Sequence, residues 1–316
     1  MGLYRSVQAV AGASGDGPID WSAVADAAKS STDPGSLALT DRQEQAYATD
    51  VRDARDRVRS AADLGFDLPE TVEIQNRHHW IDANVETFER VMRPLEQQAE
   101  IMPDVARIAN TGSMAFALSF LGRNVLGQYD PLLLADGDDH ALYFVHPNIE
   151  RVADSLAVDP DRFRRWIAFH EVAHAAEFGA APWLSEHLES RMSEAIDALT
   201  EGSLDRDSLG ELDTTMTAVE GYAELVMDRA FDDEYDDLRA KIDERRGGQG
   251  PIAKLVRRLL GLGMKRRQYE RGKEFFDAVA DERGVAGAGK VWDGPEFVPT
   301  DAELDDPSAW LRRVDP

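Results

Sequence analysis

Residues 159–179 read DPDRFRRWIAFHEVAHAAEFG. Asp159 followed by Pro160 is a helix start, because proline fits the first turn and an aspartate before it can accept an orphan N–H. Gly179 stands near the expected end. Within the helix, His170-Glu171-Val172-Ala173-His174 puts two imidazoles one turn apart on one face. Both can reach a single ion at about 2.0–2.1 Å, with Glu171 beside the open position, where it can take the proton of a water. Trp166, Ile167, Phe169, Val172, Ala173 and Phe178 are expected to bury the helix and leave the histidines in a cleft. The bland alternative is two core histidines satisfied by hydrogen bonds, with Glu171 in solvent.

A catalytic zinc needs a third protein ligand. The metzincin pattern requires Gly and His after the motif, but those positions hold Glu177 and Ala180, so that subclass is excluded. The better source is TMTAVEGYAELVMD (215–228), an apolar helix that carries Glu220 and Glu224 one turn apart. Glu220 is the candidate third ligand. Glu224 is the candidate acceptor for the distal N–H of a ligand histidine, which would fix its tautomer.

The 316 residues contain no cysteine, which excludes disulfides and thiolate sites and leaves His, Asp and Glu for any transition metal. Sixty acidic residues face 35 basic ones, for a net charge of −25. That excess repels phosphates and anionic bilayers, so neither nucleic acid nor a membrane is an expected partner. Only six of the basic residues are lysine, and the acids are dispersed. This is the composition of a surface kept soluble at high salt. No apolar run approaches the roughly 20 residues that span a bilayer. The opening MGLYRSVQAVAGASGDG resembles a signal peptide only faintly, so a cytoplasmic location is expected.

Periodicity predicts a mainly α protein with a small β-sheet (α+β). Residues 1–18 read as a flexible lead, 19–126 as a helical region, 127–240 as the core with a hairpin and the two metal helices, and 241–316 as further helices ending in an irregular tail from Gly284. TVEIQ (71–75) alternates like a strand. In 127–149, the runs LLLA and LYFV flank an Asp-Gly-Asp-Asp turn, the pattern of a hairpin. ERRGGQGP (244–251) is the linker candidate.

Tyr222, Tyr143 and His146 are candidates for a donor to a developing oxyanion. The last two follow from a strand just before the metal helix, taken as the edge that pairs with an extended substrate. His78 and His79 are adjacent and diverge on a helix, which favours structural roles. His140 and His187 read as solvated or packed. The basic stretch RRLLGLGMKRR (257–267) reads as a solvated helix face.

HEVAHAAEFGAAPWL followed by AVEGYAELVMD resembles the gluzincin arrangement. More closely, the chain resembles the zincin-like metallopeptidase type 2 family of archaea and actinobacteria, often labelled as associated with coenzyme F420 biosynthesis. IDWSAVADAAKS, NRHHWIDANVETF, LGQYDP, YFVHPNI, MKRRQYERGKEFFDAV and DPSAWLRRV extend the likeness along most of the chain. The resemblance implies a zincin-like architecture, Zn2+ held by His170, His174 and Glu220, and Glu171 as base. Tyr222 stands where the family often has a histidine, so no role carries over to it. The expected activity is hydrolysis of a peptide or small amide. The alternative is a zincin-shaped binding or scaffold protein linked to cofactor metabolism, since no substrate-selecting motif is recognisable.

Overall fold

The computed structural model describes residues 2–14, 17–96, 103–130, 140–200, 206–231, 235, 237–241 and 266–315. It is mainly helical with one three-stranded sheet. The chain divides into two compact units that interleave along the sequence. One comprises Met1–Leu39, Thr71–Val152 and Ile196–Leu204, and the other Thr40–Glu70, Ala153–Ala195 and Asp205–Pro316.

The first unit contains α1 (Gly2–Ala11), α2 (Trp21–Ser31), α4 (Arg77–Glu96) and α5 (Pro103–Gly122). Asp20 caps α2 by accepting from the Ala23 N–H. Val24, Ala27 and Ala28 of α2 pack with Trp80, Ile81, Leu118 and Val145 in one apolar cluster. Gly122 makes room for that packing, since a Cβ there would lie 3.0 Å from Ile81. The sheet joins β1 (Thr71–Gln75), β2 (Gly127–Asp130) and β3 (Ala141–Val145) in the order β1-β3-β2. β1 runs parallel to β3, with Ile74 opposite Phe144, and β2 runs antiparallel, with Tyr129 opposite Leu142. The Trp80 indole donates to Gln128 at 2.7 Å, and Gln128 donates to Asn84 at 3.0 Å, which ties α4 to β2.

Two expectations change here. The antiparallel pair uses residues 127–130 for its first strand, and the LLLA run and Asp-rich turn lie outside the described residues. β3 is the central strand, hydrogen-bonded on both sides, so it cannot serve as the edge that pairs with a substrate. Its partner β1 is some 70 residues upstream, and parallel pairing of that reach leaves no local signature.

The second unit is built on α3 (Asp41–Ala62), α7 (Pro160–Ala180), α9 (Arg206–Ala230) and α10 (Arg266–Ala288). Thr40 and Gln43 form a capping box at the start of α3. Asp159 caps α7 by accepting from the Arg162 N–H. Arg164 donates to Asp50 across α7 and α3 at 2.8 Å, with both side chains buried. Phe169 stacks on Phe231 with centroids 4.3 Å apart. Gly284 adopts φ 74° and kinks α10, a left-handed conformation that glycine takes at little cost. The segment expected to be irregular is instead largely ordered. Two 3-10 turns, Gly289–Trp292 and Pro295–Phe297, lead to α11 (Asp301–Asp305) and α12 (Pro307–Val314), whose Trp310 is fully buried. Short proline-started turns carry too little periodicity to announce themselves. The linker candidate 244–251 and most of the basic stretch 257–267 lie outside the described residues.

Candidate metal centre

α7 buries most of its circumference. Phe163, Trp166, Ile167, Phe169, Val172 and Ala173 are all in the core, so any polar group on this helix must find a partner or a ligand. His170 and His174 fall on one face, and their Nε2 atoms lie 3.3 Å apart. The Trp166 ring lies nearly parallel to that of His170, with centroids 5.7 Å apart, and holds it against the helix. From α9, Glu220 brings Oε2 to 4.0 Å from each Nε2. Among the described residues, His170, His174 and Glu220 form the group of histidine and carboxylate side chains able to hold a metal ion, with donor atoms all within 4.8 Å of one another.

These residues fit a zinc ion. Ligands at about 2.0–2.1 Å in tetrahedral geometry are separated by roughly 3.3–3.4 Å. The two imidazole nitrogens already stand at that spacing, and the carboxylate oxygen stands slightly wider, within reach of a side-chain rotation. Two nitrogens and one carboxylate oxygen also match the donor set of an open site. Glu171 sits next to His170 on α7 and is 6% exposed.

His174 is held from behind. Its Nδ1 lies 2.8 Å from Oε2 of Glu177, which is fully buried. With Nδ1–H donating to that carboxylate, Nε2 faces Glu220. Burial disfavours the imidazolium of His174, but the Glu177 hydrogen bond and the charges of Glu177, Glu220 and Glu171 outweigh it and raise its pKa. Burial likewise raises Glu177, against the pull of His174 and of the Ala223 backbone N–H that it accepts.

Glu224, expected as an acceptor for a ligand histidine, has Arg239 as a partner. It is buried and takes a hydrogen bond from Arg239 at 2.5 Å. Arg239 also pairs with Asp228, which in turn pairs with Lys273 at 2.9 Å. Glu177 was discounted in the sequence as a mismatch to another subclass, yet its spacing of three from His174 on the same helix was the available signal.

Tyr222, two residues from Glu220 on α9, packs its ring edge-on against Phe276 and Trp292, both at 5.4 Å. Its hydroxyl is buried and has no hydrogen-bond partner among the described residues. Burial, with the nearby Glu177 charge, raises the phenol well above its usual range. Tyr143 and His146 belong to the first unit, whereas the cluster lies wholly in the second. His146 opens α6 (His146–Leu156) with Nε2 3.3 Å from Glu150. Tyr143 is raised by burial and then by Asp130 and Glu73.

The remaining histidines are engaged structurally. His78 contacts the Thr32 carbonyl at 2.7 Å, and His79 is exposed. His140 stacks on Tyr129. His187 meets Trp183 edge-on and is lowered by burial and by Arg191. Among the described residues, no helix is long and apolar enough to cross a membrane.

A solved structure from Chloroflexus aurantiacus, described as a proposed hydrolase with a novel fold, is similar over 99% of this chain and 98% of its own, at 27% identity and a TM-score of 0.76. A comparison with curated proteins finds no match. The family described as zincin-like metallopeptidase matches residues 19–205 and 196–311. With that match spanning most of its length, the chain belongs to the zincin-like metallopeptidase family.

Proposed function

We propose that this protein is a zinc-dependent hydrolase that cleaves a peptide or small amide. The carrying observation is the 3.3 Å spacing of the His170 and His174 Nε2 atoms, with the Glu220 carboxylate 4.0 Å from both. Family membership and the related fold of a proposed hydrolase support the same reading. His170, His174 and Glu220 would hold the ion, which would polarise a substrate carbonyl and acidify water.

Glu171, next to His170 on α7, would accept the proton of the attacking water. It then returns that proton to the leaving nitrogen, which departs as a neutral amine. Glu177 holds His174 so that Nε2, and not Nδ1, faces the reacting centre.

Glu171→Gln tests this assignment, because it keeps shape while removing the base. Purified variant and parent are compared for zinc content and for cleavage of an internally quenched peptide library. Retained zinc with hydrolysis reduced about 10^2-fold or more is expected. Equal cleavage by both proteins overturns the role of Glu171.

A further inference from the structure

We propose that a cleft in the first unit, walled by α1, α2 and α4, binds a free amino acid, with Arg5 taking its carboxylate and Asp26 its ammonium group. None of the metal cluster's residues lines this cleft, so the proposal stands apart from the zinc reading.

The cleft has a volume of about 610 Å³, within the roughly 300–1,000 Å³ of small-molecule sites. Arg5 and Gln8 line it from α1, Asp26, Lys29 and Ser30 from α2, and His78 from α4. All six side chains can hydrogen-bond. Arg5 and Asp26 are both exposed, and neither has an ion pair among the described residues. That is unusual for an arginine here. Acids outnumber bases 60 to 35, and other arginines find one readily: Arg55 pairs with Asp56 at 2.9 Å and Arg77 with Asp33 at 3.7 Å. Lys29 is likewise held by Asp82 at 2.7 Å. The cleft therefore offers one open cation and one open carboxylate.

This charge pattern selects the ligand. A guanidinium fork fits a carboxylate through two parallel N–H groups. A phosphate ester, carrying about −1.5 to −2, would be repelled by Asp26 and by the net charge of −25. A simple amine would leave Arg5 unmet. A small zwitterion satisfies both groups at once. The neutral side chains agree with this choice. Nε2 of His78 lies 2.7 Å from the Thr32 carbonyl oxygen, which only accepts, so Nε2 carries the proton and the neutral ring keeps a lone pair on Nδ1. Asp26, Nδ1 of His78 and the half-buried Ser30 hydroxyl supply three acceptors, matching the three N–H groups of an ammonium.

Isothermal titration of the full chain with the common amino acids, one at a time, tests this. Acetate, ethylamine and inorganic phosphate probe each charge alone. At least one amino acid is expected to bind, about tenfold or more tighter than acetate or ethylamine. Arg5→Gln and Asp26→Asn are each expected to weaken it about tenfold, leaving the zinc content and the melting temperature of the free protein unchanged. Both side chains are exposed, so neither variant endangers the fold. Failure of every amino acid to bind at up to about 10 mM overturns the proposal. So does binding that both variants leave unchanged, which would place the amino acid elsewhere, as on the metal. Inorganic phosphate that binds as tightly as any amino acid, and more tightly still to Asp26→Asn, would mark a plain anion site and overturn it too.

Discussion

Gly221 of α9 and Gly272 of α10 meet backbone to backbone: a methyl group on Gly221 would stand 2.5 Å from the carbonyl carbon of Gly272. A methyl group on Gly272 would stand equally close to the Thr217 carbonyl oxygen. This contact sets the position of α9 one residue from Glu220. Gly221→Ala is therefore expected to force the helices apart, at about 1–3 kcal/mol. Zinc affinity should fall with it, because the carboxylate is withdrawn from the imidazoles. Urea unfolding and chelator competition check the two effects, and an alanine variant of parental stability would show that the helices do not meet this tightly.

Glu224 and Glu177 separate in the opposite sense. Glu224 is bound to Arg239 and linked through Asp228 to Lys273. Glu224→Gln is expected to lower stability by about 1–3 kcal/mol and to leave zinc affinity within about twofold. A large loss of zinc at unchanged stability would return Glu224 to the metal centre.

These two glutamates show what the sequence could and could not convey. The grouping of the histidine pair with Glu220 was legible because helical periodicity alone places them on apolar helices. The choice between Glu177 and Glu224 was not, because both lie at helical spacing from a site residue. What separates them is which way each helix face turns in the packed unit, and whether Arg239 is there to take one of them. The mainly helical class with a small sheet was likewise readable from periodicity. The central position of β3 was not, since it depends on parallel pairing with a strand far upstream. The short helices of the tail are held by capping and by contacts such as the Trp310 indole donating to the Phe297 carbonyl at 2.7 Å, and not by a long repeat.

The tail also carries an acid-sensitive contact. Arg313 grips Glu303 through two nitrogens, at 2.7 and 2.9 Å. That hydrogen bond, against burial, holds the Glu303 carboxyl below its usual range. A depressed carboxyl adds stability above its unfolded pKa, about 4.3, and loses it as pH falls through the folded value. Arg313→Met is expected to reduce stability near pH 7 and to flatten its decline below about pH 4.3. Unfolding curves from pH 3 to 7 check this, and parallel curves for variant and parent would count against the contact.

With 60 acidic and 35 basic residues, self-repulsion opposes the compact state. Raising salt from 0.1 to 1 M shortens the screening length from about 10 to about 3 Å. The melting temperature is expected to rise over that range. A fall would mean that ion pairs such as Arg164–Asp50 dominate the electrostatics.

The central claim is that one ion sits between His170, His174 and Glu220. X-ray absorption at the zinc edge of the purified protein addresses it most directly. The account predicts one zinc per chain, with two imidazoles and further oxygen ligands at about 2.0–2.1 Å, and loss of that signal in His174→Ala. A protein that is folded without metal and takes up none, or a zinc with no imidazole around it, would contradict the account.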